Sequence, residues 1–357
     1  GTVVNRQGLI ETVQSGIPRI DFLGNTKGAL LLEPQRTNLI PYSEDFSNAA
    51  WAKQSAGVAS APIVTSNYAI SPDGTLNADR VIFDINGGTT SSDFSQIADG
   101  VITSIGDVTN SLWIKSNTAS NYNMSFVDPS ANFTSIIVTN QWQRFDVTST
   151  TVSTSSALRL RLRGSESTSD SADVSIWGAQ VEQGSYPTSY IPTQGSTVTR
   201  VQEVCNNGGN DQVINSIEGV LYAEIAALSD DGTTRVLSIS DGGNATNVVR
   251  IGYSITSNQI NVRLIVNSVT TQFNYVGNVL NKNKIALKWK LNDAALWVNG
   301  VEVDANLSFT TFIANALNIL NFSNGNGTSN PFYGNTKDVR VYNTALTDAE
   351  LQALTTI

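Results

Sequence analysis

The residues best suited to chemistry in this sequence are three tryptophans and a row of arginines. Trp113 has Ser111 and Lys115 two positions away, whereas Leu112 and Ile114 alternate with it. Trp177 has Ser175 and Ala179 at that spacing, opposite Val174 and Ile176, and Trp142 has Asn140 and Arg144. Strand side chains alternate between faces, so all three rings are expected on the more polar side of their strands. Over Ala157–Arg163 the same alternation sends Leu158, Leu160 and Leu162 inward and Arg159, Arg161 and Arg163 outward. A face with flat aromatics and guanidinium groups suits a sugar. The rings offer apolar area at little entropic cost, and arginine forks onto hydroxyls or carboxylates. The plainer reading of any one tryptophan is core, since tryptophan is highly buried on average. Alternating arginines also read as a solvated face or a subunit contact.

Other chemistries are narrowed by what the chain lacks. It has no histidine, which removes the Ser-His-Asp and Cys-His hydrolases and any histidine-ligated zinc site. Paired carboxylates of the glycosidase kind survive that cut, as does calcium on oxygen ligands. The nearest approach to the laminarinase-type Glu-x-Asp-x-x-Glu is Glu302-Val303-Asp304, but Leu307 stands where the second glutamate is needed. Glu166, Asp170 and Asp173 sit in a serine-rich stretch and read as solvation. Asp230-Asp231-Gly232 and Asp241-Gly242-Gly243-Asn244 could help hold Ca2+, but turn chemistry explains them more cheaply. Gly325–Asn330 lacks a third glycine and a following helix, so it is no phosphate loop. Cys205, the single cysteine, cannot form an intrachain disulfide and has no basic residue nearby to activate it. The expectation is a protein that is not an enzyme and needs no cofactor.

The bulk properties agree with a binding or structural role. At 357 residues the chain exceeds what one core usually holds. A net charge of −9 argues against nucleic acid as a partner. No apolar run reaches membrane-spanning length, so no membrane insertion is expected. The opening Gly1-Thr2-Val3-Val4 has neither an initiator Met nor a signal-like apolar run, and reads as a fragment with Gly1 left by a tag or protease site.

The elements that must position these residues are strands. Charged residues make up only 14% of the chain, and Ser, Thr, Asn and Gly take their place, the composition of short strands joined by turns. Ser111–Lys115, Phe145–Thr148, Ala157–Arg163 and Val174–Trp177 alternate, and Gly219–Ile225, Arg235–Ile239 and Asn261–Val266 also read as strands. Asn299-Gly300 marks a hairpin tip inside Trp297–Val303. Thr347 and Glu350 stand at capping-box spacing, with Leu346 and Leu351 as a staple, and predict one short C-terminal helix. The expected fold is all-β: two antiparallel sandwiches or jelly rolls after an extended lead-in. The expected boundaries are 1–40 for the lead-in, 41–198 for the first β domain, 199–215 for a linker and 216–357 for the second domain. In Glu33–Trp51, Pro34 and Pro41 keep the chain extended, and Arg36 and Asn38 are placed to satisfy neighbouring polar groups. Ser47 is placed to cap a turn that sets Phe46 against Trp51.

Several segments carry a resemblance. Asn5–Glu11, Gly16–Asp21, Leu30–Leu39, Tyr42–Trp51 and Trp177–Thr193 resemble bacteriophage tail-fibre and related virion proteins, in which a carbohydrate-binding-module-like jelly roll follows such a strap. Thr199-Arg200 and Glu218–Glu224 resemble the junction into their concanavalin-like (laminin-G-like) domain. Gly334–Tyr342 followed by Leu346–Leu351 resembles that domain's closing strand and helix. The resemblance implies a receptor-binding fibre fragment of a virion, a homotrimer that has lost its upstream attachment region and meets bacterial surface glycan. The alternatives are a structural module that sets fibre geometry and a polysaccharide-degrading spike with paired carboxylates. The tail-fibre signatures look like fold determinants and mark no sugar site, so Trp113, Trp142, Trp177, Arg159 and Arg161 stand on alternation alone.

Overall fold

A computed structural model describes every residue except 100, 103–105, 152–154 and 157. Among the described residues the chain is all-β, with antiparallel sheets and one short helix at its C-terminal end. It divides into two compact units, Gly1–Thr26 with Gln35–Val201, and Lys27–Pro34 with Gln202–Ile357. The lead-in expected over 1–40 is therefore not one element. Its first part packs within the first unit, and Ala29–Leu32 becomes a strand of the second.

The first unit is a sandwich of two five-stranded sheets. One runs in the order Gln143–Thr151, Gly106–Ser116, Ser171–Gln183, Leu76–Asp84, Ser60–Ile70. The other runs Phe133–Val138, Tyr122–Val127, Arg159–Arg163, Phe94–Asp99, Trp51–Ala56. Strands distant in sequence lie side by side because each inward row must meet another apolar row across the sandwich. Leu112, Ile114, Val174 and Ile176 supply one side of that core, and Met124, Phe126, Leu160 and Leu162 the other. Leu158 is buried as alternation requires, while Ala157 lies outside the described residues.

A polar lock holds the strap to this sandwich. Asn38 donates through Nδ2 to the carbonyls of Ala179 (3.1 Å) and Ile191 (2.9 Å). Its Oδ1 accepts from the backbone N–H of Ile40 and Val181. All four hydrogen-bonding positions of a fully buried amide are thus filled, the condition for burying it without penalty. Gln180 accepts from the Ile191 N–H, and Glu182 accepts from both the N–H and the hydroxyl of Thr188. The expected turn at 47–50 forms differently from the sequence reading. Asp45 Oδ1 accepts from the Asn48 N–H and from the Ser47 hydroxyl, so Asp45 caps and Ser47 serves as a donor. A carboxylate is the stronger acceptor and wins the position. The Phe46–Trp51 contact is present, with ring centroids 4.7 Å apart.

The second unit is also a sandwich. One sheet runs Val301–Asn306, Ala294–Val298, Asn283–Trp289, Gly219–Ala227, Gly334–Tyr342, Ala29–Leu32. The other runs Val269–Val276, Gln259–Val266, Val248–Tyr253, Arg235–Ser240, Ile319–Asn321. Leu221, Ile225, Ile251, Leu264, Ile285 and Leu296 meet between them, and Leu32 joins this core. The expected hairpin turns at Asn299 (φ 52°) and Gly300 (φ 85°), two left-handed residues that match strand twist. Helix Asp348–Thr355 carries the full capping box on Thr347 and Glu350. Its Leu351 seats among Val220, Tyr222, Ala286 and Trp297, with Leu346 beside it. The segment expected as a linker is partly structural. Val198–Arg200 pairs with Arg36–Asn38 in the first unit, and Gly208 bridges to Leu320 in the second. Polar turn residues such as Asn206 and Asn207 are held by Gly327 O and Asn321 Oδ1, bonds that composition cannot foresee.

Candidate functional site

The three tryptophans share a neighbourhood, but it is not an open platform. Trp113 and Trp177 are partners across Gly106–Ser116 and Ser171–Gln183, at a bulge between Ser111 and Trp113. Gly178 sits opposite with φ +64°, where a Cβ would come within 3.2 Å of the Trp113 ring and 3.4 Å of Tyr190, so the bulge needs glycine. Trp177 is 1% exposed and packs on Tyr190 at 4.5 Å between centroids. Ile10 and Ala78 complete the cluster, with Val4, Trp113 and Trp142 around it. The expectation that Trp177 lies open to a sugar is corrected. The polar-looking face is real, but the hairpin of Thr2–Val4 and Ile10–Thr12 brings Val4 and Ile10 onto it. Trp142 precedes its strand rather than lying on it. It donates Nε1–H to the Ile70 carbonyl at 3.0 Å, and the Lys115 ammonium lies 5.2 Å from its ring centroid.

The arginines belong to the other sheet, so the structure does not bring them together with the tryptophans. Arg161 is buried and makes a bidentate pair with Glu166, at 2.8 and 2.6 Å. Arg163 shares Glu166 at 3.2 Å. Glu166 is accordingly a buried counter-ion rather than the solvated acid expected from its serine-rich surroundings. Asp173 likewise pairs with Arg80 through both oxygens. Arg159 differs. It is half-buried, its Nε has no hydrogen-bond partner, and desolvation followed by the charge of Arg161 lowers its pKa. The charges of Asp128 and Glu166 offset this in part.

A recess in the first unit lies under the strap. A cavity of about 510 Å³ is walled by Tyr42, Glu44 and Asp45 from the strap, Asn67 and Asn77, and Gln194. Chain order scatters these residues, and sequence reading took the strap as purely structural. Asn77 donates to Glu44 at 3.0 Å and Asp73 at 3.1 Å, while its Oδ1 is buried without a hydrogen-bond partner. Burial raises the pKa of both Glu44 and Asp79. A raised carboxyl is what a general acid needs, but these two are occupied. Asp79 accepts the backbone N–H groups of Asn67 and Phe46 at 2.9 Å each. Glu44 accepts the Tyr190 hydroxyl at 2.8 Å as well as the Asn77 amide. They brace the walls, and the free chemistry of the cavity is amide, hydroxyl and one aromatic ring.

In the second unit the acids proposed for Ca2+ are spent on turns. Asp231 pairs with Arg235 at 2.7 Å, and Asp230 accepts from Ser257 and the Asn258 N–H. Among the described residues no group of three or more potential metal ligands gathers. Burial pushes the Cys205 thiol up, away from reactivity.

With this geometry in hand, the second unit can be compared with known sandwiches. Residues 221–352 match the family model described as the concanavalin A-like lectin/glucanases superfamily. No curated protein sequence matches the chain. Among solved structures, the Ruminococcus gnavus IT-sialidase CBM40 bound to α2,3-sialyllactose is 18% identical. It covers 43% of this chain and 97% of its own, at a TM-score of 0.35. The Limulus polyphemus SAP-like pentraxin is 12% identical, covering 41% of this chain and 72% of its own, at 0.34. Mouse laminin α1 domains LG4-5 are 10% identical, covering 70% and 89%, at 0.29.

Proposed function

We propose that the chain is a non-enzymatic, receptor-binding fragment of a phage tail fibre that recognises bacterial surface polysaccharide, either capsule or lipopolysaccharide. The observation that carries this reading is the polar cavity under the strap. Its size suits one or two sugar residues. Its walls offer amide and hydroxyl groups beside the Tyr42 ring, the mixture that sugar hydroxyls and apolar faces require. The lectin-like family match over 221–352 and the tail-fibre resemblance of the strap support it. On this reading the protein acts at the virion tip, as a homotrimer, outside the host cell. Half-buried Trp113 and Trp142, and Arg159 with its Nε lacking a hydrogen-bond partner, are the remaining candidate contacts.

The burial of Trp177 favours a second reading, a structural module that only sets fibre geometry. One experiment separates the two. Ser66→Ala and Gln194→Ala change the cavity wall without touching either apolar core. The proposed function requires weaker adsorption to host cells at an unchanged melting temperature. Adsorption equal to the parent in both variants would sink it. Released reducing ends after incubation with capsule would show a degrading enzyme instead.

A further inference from the structure

Several arginines among the described residues that leave bulk water find a carboxylate: Arg80 has Asp173, Arg161 has Glu166 and Arg235 has Asp231. Arg250 and Arg263 meet neutral amides instead. Strands Val248–Tyr253 and Gln259–Val266 place Arg250 directly opposite Arg263. Val249, Ile251, Val262 and Leu264 point into the core of the second unit, so alternation sends both guanidinium groups from the other face of the sheet. Like charges directly opposite destabilise a sheet, and a buried cation is costly unless paired. Yet Arg250 is only 7% exposed, and its Nε has no hydrogen-bond partner. Its Nη2 donates to Asn261 Oδ1 at a long 3.3 Å. Arg263 donates Nε–H to Gln272 Oε1 at 2.8 Å. The neighbours are neutral amides, with Asn261 donating onward to Asn274. Burial first, and then the charge of Arg263, lower the pKa of Arg250 to about 10, and no acid offsets them.

Two cations opposite one another beneath a neutral rim cost stability unless an anion joins them. We infer that this face of the second unit binds an oxyanion carried by an acidic glycan, a carboxylate, sulfate or phosphate held by Arg250 and Arg263. The amides of Asn261, Gln272 and Asn274 lie where the sugar hydroxyls would fall. The site is independent of the cavity in the first unit, so either can fail without the other.

The test titrates the full chain by calorimetry, at matched ionic strength, with polygalacturonate, sodium sulfate and neutral dextran. The inference expects polygalacturonate to bind and dextran not to bind at this site. Arg263→Gln should weaken binding by about tenfold, the usual effect of losing one charge-assisted contact. Arg250→Gln should abolish binding while keeping or raising the melting temperature, because an unpaired buried cation has been removed. A merely structural arginine would lower that temperature. Should Arg250→Gln fail to fold, Arg263→Gln, on a half-exposed side chain, decides alone. Sulfate binding without polygalacturonate binding would overturn the glycan assignment. Polygalacturonate binding undiminished in the variants, or absent in the parent, would overturn the site itself.

Discussion

Replacing Trp177 with alanine separates a buried brace from a sugar platform. The ring is 1% exposed, wedged against Tyr190 at 4.5 Å, and its Nε1 has no hydrogen-bond partner. The loss is therefore one of packing, with no polar group orphaned by the change. Truncating a buried tryptophan costs about 3–5 kcal/mol through lost transfer energy and the cavity left behind. The ring pairing with Tyr190 accounts for about 0.5–1.5 kcal/mol of that. Against a typical total stability of about 5–15 kcal/mol, such a loss leaves the first unit marginal. For a unit of this size it corresponds to a fall in melting temperature of about 6–20 °C. Calorimetry on the full chain is the assay. Two units with separate cores need not melt together, so the transition of the second unit serves as an internal reference. The expected result is a large downward shift of one transition with the other unmoved. A Trp177→Ala protein that melts like the parent but adsorbs poorly to cells would refute the packing argument and restore the open platform.

Two further outcomes follow from the same geometry. Leu32→Ala should cost about 2–5 kcal/mol and move the transition of the second unit, although residue 32 is flanked by residues of the first. A shift of the first unit's transition would contradict the strand assignment. Arg80 holds the Asp173 carboxyl below its usual range, so the pair stabilises fully above the unfolded carboxylate pKa of about 4. That contribution fades as pH falls through the lower folded value, so Asp173→Asn should flatten the acid side of the first unit's stability profile. An unchanged profile in urea melts between about pH 2 and 5 would contradict it.

Local patterns carried much of the fold. Leu158, Leu160 and Leu162 turned inward because alternation leaves strand residues little choice. The Asn299-Gly300 hairpin and the Thr347–Glu350 capping box formed because their geometry lies within a few residues. What failed was non-local. Ala29–Leu32 is visibly a short apolar strand, but its partner is Gly334–Thr336, some three hundred residues away, and no local signal names it. Alternation identified the face that carries Trp177, yet could not say that Val4 and Ile10 would cover it. Glu166 looked solvated because its neighbours are serines, while its counter-ions lie on the strand before it. The cavity eluded sequence reading for the same reason. Its walls come from residues near 42–47, 66–67, 77–79 and 192–194, and only the closed sandwich puts them together.

The central claim is that this chain reads a bacterial surface glycan. Its most direct test is fluorescent labelling of host cells with the purified chain, repeated on capsule-less and lipopolysaccharide-truncated strains. The account predicts bright labelling of the parent host and loss of label in one of the two glycan-deficient strains. Equal labelling of all three strains, or none of the parent host, would contradict it.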